Sequence, residues 1–357
     1  MNQELRLEKF DYNLNLSEQR ALFKDCFPET DGEAIQGIEH YKWKFHSFPS
    51  MNKSWEYAAY IDDEIVGYYA ALPYIYRIGS EKVNIGMVCD VMTSSKYRGK
   101  GIFTKIGTFS TNELSNNVPF TMGYVIRKEV MPGHLKVGWK VAFKLPLYMK
   151  FIRLNSLLNS KHLSFLSPLA NIFISLYNFI LKGKLYKEYS YNIKDYIDNI
   201  EGYEEFTKKW RETVPNALIK DLSFARWRYS APQRNYKFIE VRDSKKELVA
   251  FVAYRKIIKE SVPSYGILDY QILPENEKCH AIINRVLELQ AKKEGVEAIM
   301  TMMSCHSAKK YKLKRYGFLK SPFIFNLIIK NLSNQFSDDI LFKESNWHVM
   351  WVDSDDL

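Results

Sequence analysis

Arg98-Gly99-Lys100-Gly101 is the stretch whose residue types and spacing most directly offer chemistry. Two cations and two glycines at a helix start can receive a phosphate group. The first helical turn has backbone N–H groups without intrahelical partners and carries about half a positive charge, and glycine lets backbone and ligand come close. The flanking residues supply both halves of that geometry. Residues 86–93 (GMVCDVMT) form a short apolar, β-branched run that reads as a buried strand, and residues 94–101 punctuate it. Beyond them Ile102, Phe103, Ile106 and Phe109 recur at three- and four-residue spacing, the apolar stripe of a helix that begins at the glycines.

Spacing separates the nucleotide-binding designs. Neither Gly-x-x-x-x-Gly-Lys-Ser/Thr nor Gly-x-Gly-x-x-Gly occurs here, which disfavours Walker and Rossmann loops. The run YRGKGIF resembles the Arg/Gln-x-x-Gly-x-Gly/Ala motif of the GNAT superfamily of acyl-CoA N-acyltransferases, in which the loop holds the pyrophosphate of coenzyme A. On this resemblance Arg98 is the motif's first residue and Gly101 its first glycine. Phe103 stands where a second Gly or Ala is usual, a variant similar to that of acyltransferases encoded among bacterial surface-polysaccharide genes. The resemblance implies that Arg98, Gly99, Lys100, Gly101, Ile102 and Phe103 hold acetyl-CoA or another acyl-CoA. It also implies a strand that splays from its neighbour, so that the backbone of Val91, Met92 and Thr93 pairs with the pantetheine arm. The alternative is a helix N-terminus with fortuitous basic residues.

Acyl transfer to an amine needs a neutral amine, a donor for the developing oxyanion and an acid for the leaving thiolate. Asp90, at the inner end of the strand, is the candidate base or amine-positioning carboxylate; the alternative is a structural hydrogen-bonding role. The family often places a tyrosine acid four residues before a closing Gly-Phe. Here the closing pair is Gly138-Trp139 and the residue four back is His134, which titrates near neutrality. Tyr124 is the substitute acid, or else a packed aromatic. The C-terminal run from Trp347 resembles the closing segment of polysaccharide-linked tandem acyltransferases, and Asp353 and Asp355 are expected to hold a cationic amino sugar, against the alternative of a frayed acidic tail.

A chain of 357 residues with a net charge of +10 is long enough for two cores and attracts anions. That charge suits coenzyme A, nucleotide sugars, acidic membranes and nucleic acids alike, but no nucleic-acid-binding motif is present and no such partner is expected. Cys26, Cys89, Cys279 and Cys305 form no Cys-x-x-Cys pair, so no metal site is expected. The polar, acidic N-terminus is neither a secretory signal nor a transit peptide, which predicts a cytoplasmic protein.

The second half repeats the first. Trp43 is matched by Trp227, Asp90 by Asp269 and Gly138-Trp139 by Gly317-Phe318, in nearly one register. Where the first copy has its basic glycine turn, the second has Pro274-Glu275-Asn276-Glu277, whose carboxylates would repel a pyrophosphate. The expected fold is α/β (α+β): two tandem GNAT-like domains with mixed, mostly antiparallel sheets flanked by helices. Residues 1–150 form the domain with the acyl-CoA motif, 151–200 an apolar helical linker, and 201–357 a degenerate second domain with an acidic tail. Within the linker, residues 167–181 fall short of the roughly twenty a membrane helix needs. They either pack between domains or make peripheral contact with an anionic membrane. The functional expectation is an acyl-CoA-dependent N-acyltransferase, specifically an N-acetyltransferase, acting on a small-molecule amine such as an amino sugar or sugar nucleotide of envelope polysaccharide synthesis. The alternatives are a non-catalytic tandem scaffold at the membrane surface and a tRNA-dependent aminoacyl transferase, which fits the charge but has no need of the turn.

Overall fold

A computed structural model describes residues 4–50 and 53–354. The chain opens with β1 (Leu5–Lys9) and α1 (Tyr12–Cys26), capped where the Asp11 side chain accepts from the Asn13 N–H. Pro28 follows closely behind α1, and helical structure continues as two 3₁₀ turns, α2 (Ile38–Tyr41) and a π-turn over Lys42–His46. β2 (Trp55–Ile61), β3 (Glu64–Ile78) and β4 (Glu81–Thr93) form a meander, followed by α3 (Ile102–Leu114), β5 (Phe120–Val125), α4 (Met131–Lys136) and β6 (Lys140–Phe151). Next come α5 (Asn155–Asn159), α6 (Ser167–Ile180), β7 (Ser190–Lys194), α7 (Tyr203–Arg211), β8 (Asn216–Leu218) and α8 (Leu222–Arg228). The second meander is β9 (Tyr236–Arg242), β10 (Leu248–Lys259) and β11 (Val262–Ile272), followed by α9 (Lys278–Lys293), β12 (Ala298–Met302) and α10 (Cys305–Lys310). β13 (Leu319–Asn331), α11 (Asp338–Leu341) and β14 (Trp347–His348) complete the chain.

Two compact units share these elements. Unit 1 holds the described residues up to Phe143 with Ser230–Gln233 and Asn326–Lys343; unit 2 holds Lys144–Tyr229, Arg234–Phe325 and the described residues from Glu344. Unit 1 orders its strands β1-β2-β3-β4-β5-β13, and unit 2 orders its own as β7-β9-β10-β11-β12-β6. Along these two orders the pairing is antiparallel except at one place in each, where β4 runs parallel to β5 and β11 parallel to β12; off them, β14 pairs parallel with β8. Parallel neighbours need a long crossover, supplied by α3 in one unit and α9 in the other. The last strand of each sheet comes from the other half of the sequence. Asn326–Asn331 of β13 pairs with β5 in unit 1, and Leu147–Phe151 of β6 pairs with β12 in unit 2. The units are therefore not two consecutive stretches, and residues 151–200, expected as a linker, lie within unit 2.

Pro73 lies inside the continuous strand β3, where it pairs with Gly86 of β4, beyond the point at which pairing with β2 ends at Ala71. The core of unit 1 packs one sheet face, including Tyr57, Val66, Tyr69 and Val88, against Ile102, Ile106 and Leu114 of α3. This is the buried side of the stripe read from the sequence, and it fixes where α3 begins.

Candidate functional site

The turn ahead of α3 has the backbone of an anion receptor. Gly99 has φ +80° and Gly101 φ +76°, left-handed conformations that only glycine adopts cheaply. A Cβ at either position would meet no atom within 4 Å, so the space above the turn is open. Gly101 is the residue preceding the 13-residue helix α3, and no side chain caps the helix. Its first N–H groups therefore point into that space with the positive end of the helix dipole behind them. Arg98 and Lys100 are exposed around the turn, and the Lys100 ammonium lies 4.8 Å from the centre of the Tyr97 ring. Tyr97 is buried beneath, its hydroxyl donating to Glu64 at 2.9 Å. Ser95 ties the turn to α1, donating to the Asp25 carboxylate from its N–H at 2.8 Å and its hydroxyl at 2.7 Å.

β4 leads to this turn through a bulge. Tyr68 pairs with Met92 and Ala70 with Cys89, so Asp90 and Val91 together oppose Tyr69. Asp90 absorbs the bulge at φ +48°, a conformation Asp tolerates better than most side chains. On its other edge β4 pairs with β5 only as far as Val88↔Gly123. Beyond that point Val91, Met92 and Thr93 lie on one side of the opening and Tyr124 on the other, the splay expected from the resemblance. Val91 and Thr93 are half-buried and Met92 is buried.

Asp90 is part of a polar cluster that sequence reasoning missed. Its Oδ1 accepts from Lys44 Nζ at 2.8 Å, with both side chains more than nine-tenths buried. Tyr68 donates to Glu56 at 2.5 Å, Tyr41 donates to the same carboxylate, and Ser54 donates to its other oxygen at 2.8 Å. Burial, reinforced by the Glu56 charge, pushes the phenols of Tyr41 and Tyr68 up, so both remain protonated donors. Arg20 is held below its ordinary value by burial, against the opposing field of Asp90 and its neighbours. The available signal was the basic pattern around the repeated tryptophan, Lys42-Trp43-Lys44 in the first half and Arg226-Trp227-Arg228 in the second.

His134 lies elsewhere in its surroundings. It is buried on α4, with the Phe103 ring edge-on at 5.0 Å and Trp139 at 5.7 Å. Burial lowers its pKa to about 4, so near neutrality it is uncharged and has no extra proton to donate as an acid. Its geometry is that of a packed ring. The same contact explains Phe103: a Cβ on Gly133 would come within 2.6 Å of the Phe103 ring, so glycine on α4 makes the room that a small residue on α3 would otherwise leave.

Asp353 is wholly buried in unit 2, where it accepts from the Met350 N–H at 2.8 Å and lies 3.6 Å from Lys220 Nζ. A carboxylate so enclosed is placed to hold its own chain rather than an amino sugar. Asp355 lies outside the described residues.

Residues 14–142 match the family model described as an acetyltransferase (GNAT) domain. No curated protein sequence matches the chain. Among solved structures, a conserved protein of unknown function and probable N-acyltransferase from Enterococcus faecalis V583 aligns with TM-score 0.65 at 12% identity, covering 93% of this chain and 73% of that one. A GCN5-related N-acetyltransferase from Anabaena variabilis ATCC 29413 aligns at 0.64 and 12%, over 93% and 74%. N-myristoyltransferase from Saccharomyces cerevisiae, solved with bound myristoyl-CoA, aligns at 0.62 and 12%, over 93% and 80%.

Proposed function

We propose, from the match of residues 14–142 to an acetyltransferase (GNAT) domain, that the chain is a GNAT-type N-acyltransferase that transfers an acetyl group from acetyl-CoA to the amine of an amino sugar or sugar nucleotide used in envelope polysaccharide synthesis. One observation carries the acyl-CoA part of this reading: an open, doubly left-handed glycine turn at an uncapped helix N-terminus, directly after a strand that has left its neighbour. In the reading Arg98, Gly99, Lys100 and Gly101, with the N–H groups of Ile102 and Phe103, receive the pyrophosphate. The backbone of Val91, Met92 and Thr93 aligns the pantetheine arm. A bound acyl-CoA supplies a thioester carbonyl that an amine can attack, the C–S bond breaking as the C–N bond forms.

Asp90 is assigned the amine. One carboxylate oxygen is committed to Lys44, and the other is left to orient the nucleophile and take the proton it sheds. Tyr124, across the opening, is assigned the proton returned to sulfur; a neutral, buried His134 is not suited to that task. The amino-sugar acceptor rests on the resemblance of the Phe103-bearing turn to polysaccharide-linked acyltransferases. A thermal-shift series with acetyl-CoA and longer acyl-CoAs tests the donor. At about a hundred times its dissociation constant a ligand adds roughly 2.7 kcal/mol, a rise of a few degrees for a protein of this size. The largest shift with acetyl-CoA supports the reading, a larger one with a long-chain donor moves it toward fatty acylation, and no shift with any donor refutes it. Acetylation of free amino sugars and their nucleotide conjugates by the same protein then tests the acceptor.

A further inference from the structure

α6 is built inside out. Along its length Leu169, Ile172, Phe173, Leu176, Phe179 and Ile180 recur at three- and four-residue spacing, which puts them on one helical face. That face points outward, each of the six exposing 57–70% of its surface. Two asparagines face inward. Asn171 donates to Asn155 at 2.7 Å and accepts from the Leu154 N–H at 2.9 Å, and Asn178, almost wholly buried, donates to the Phe151 carbonyl at 2.7 Å. Just past the helix Gly183 lies so close to α9 that a Cβ there would stand 2.0 Å from the Ala281 carbonyl. The asparagines and this close approach fix the helix in one rotation, and that rotation presents its apolar side to the surroundings. A helix adapted to water on its outer face would have the opposite pattern.

The charge around α6 says what covers that face. From Lys144 to Lys187 the sequence contains no aspartate or glutamate. Arg153, Lys161, Lys182, Lys184 and Lys187 are exposed, and among the described residues none of them joins an ion pair. Lys182 and Lys184 leave the helix end directly beside the aromatic side chains, the Lys182 ammonium 3.8 Å from the centre of the Phe179 ring. No helix among the described residues is long and apolar enough to cross a bilayer. An apolar face at a fixed rotation with an unpaired cationic rim matches the interface of an anionic bilayer, where apolar side chains enter the acyl boundary and lysines meet the headgroups.

We propose that α6 is a membrane-docking helix, seating its Leu169-to-Ile180 face in an anionic lipid surface while its neighbouring lysines hold the headgroups. This placement is independent of the acyl-transfer reading, and its test measures no acyl transfer. The full chain is sedimented with vesicles of equal parts phosphatidylglycerol and phosphatidylcholine, and with vesicles of phosphatidylcholine alone. Binding is expected to the anionic vesicles and to weaken as salt is raised. The Ile172→Glu, Phe173→Glu variant should lower that binding at least about tenfold, because it removes two exposed apolar side chains from the docking face and adds two charges of the wrong sign. Lys182→Gln and Lys184→Gln change exposed side chains outside the core and should each cost about fivefold, which keeps the proposal open to refutation if the first variant fails to fold. An unchanged melting temperature in each variant shows that the fold is intact. No binding by the parent overturns the proposal, as does binding indifferent to these substitutions. A concentration-dependent dimer that the glutamate variant dissolves, with no vesicle binding, would make the face a contact between copies and overturn it equally.

Discussion

Residues 98–101 and 274–277 occupy the same place in two copies of one topology, and only the first is shaped to receive an anion. Gly99 and Gly101 turn the backbone left-handed and leave the first N–H groups of α3 uncapped. In the second copy the Cys279 N–H bonds to the Asn276 carbonyl at 2.9 Å and the His280 N–H to the Glu277 carbonyl at 3.2 Å, so the opening turn of α9 satisfies itself. Two glutamates beside it complete the difference. The largest effect expected from any single change is therefore Gly101→Glu, which combines a strained φ with a carboxylate in the cradle. Acyl-CoA should give no thermal shift in this variant and kcat/KM should fall at least about a hundredfold. Glu277→Gln in the second copy should leave both unchanged. Equal losses in the two variants would erase the distinction between the copies.

The aspartates behind the turns make the next contrast. Asp90 sits in the bulge at φ +48° beside the splayed edge and pairs with Lys44 at 2.8 Å. Asp269 lies in regular pairing opposite Ala253, with Leu268 as the extra residue. It is fully buried, accepting from Lys220 at 2.8 Å, Gln271 at 2.6 Å and the Tyr270 N–H at 3.0 Å. The two thus share an ion pair but not access to the opening. Asp90→Asn should destabilise by roughly 3 kcal/mol, since it leaves the buried Lys44 ammonium facing a neutral amide, and Asp269→Asn by less, since Lys220 keeps the Asp353 carboxylate at 3.6 Å. Asparagine keeps the left-handed backbone of position 90 available. At a temperature well below both melting points, only Asp90→Asn should lower kcat, by two orders of magnitude or so for a lost base. A kcat loss confined to Asp269→Asn would reverse the assignment.

The parts of this comparison legible in the sequence are those written in local pattern. The apolar stripe from Ile102, the glycine turn and the repeat of Trp43 and Asp90 at Trp227 and Asp269 are all one-dimensional signals. Strand exchange is not such a signal, because a strand's alternation says which face is buried and nothing of which neighbour it joins; hence β6 and β13 read as the ends of consecutive domains. The Lys44–Asp90 contact was hidden because its members lie far apart in the chain, and the Tyr68–Glu56 contact because it depends on the register of β2 against β3. His134 was singled out by counting from a motif ending. Counting cannot show that Phe103 and Trp139 enclose the ring.

That enclosure gives His134 a pH signature in place of a catalytic one. Its folded pKa of about 4 lies below the unfolded value of 6.5, so the unfolded chain binds the proton first as pH falls. Stability from this group is complete above pH 6.5, declines between 6.5 and 4, and levels off below. The full decline is roughly 3 kcal/mol. His134→Phe should flatten the acid limb of a melting-temperature profile by that amount while kcat at neutral pH changes less than about threefold. A steep loss of kcat with the acid limb intact would restore His134 to the reaction.

The smallest effect concerns how the first copy tolerates Phe103 in its cradle. Gly133 is a helical glycine whose replacement by alanine normally stabilises by up to about 1 kcal/mol. Here the new methyl would meet the Phe103 ring at 2.6 Å, and the expected result is a net loss of about 1 kcal/mol. In a Phe103→Ala background the clash is gone, and the same Gly133→Ala change should turn stabilising. The sign reversal is the test, read from denaturant midpoints of the four proteins in a double-mutant cycle. If Gly133→Ala has the same sign in both backgrounds, the small residue on α4 does not exist to admit the large one on α3, and Phe103 must find its room by shifting α3 and with it the start of the glycine turn.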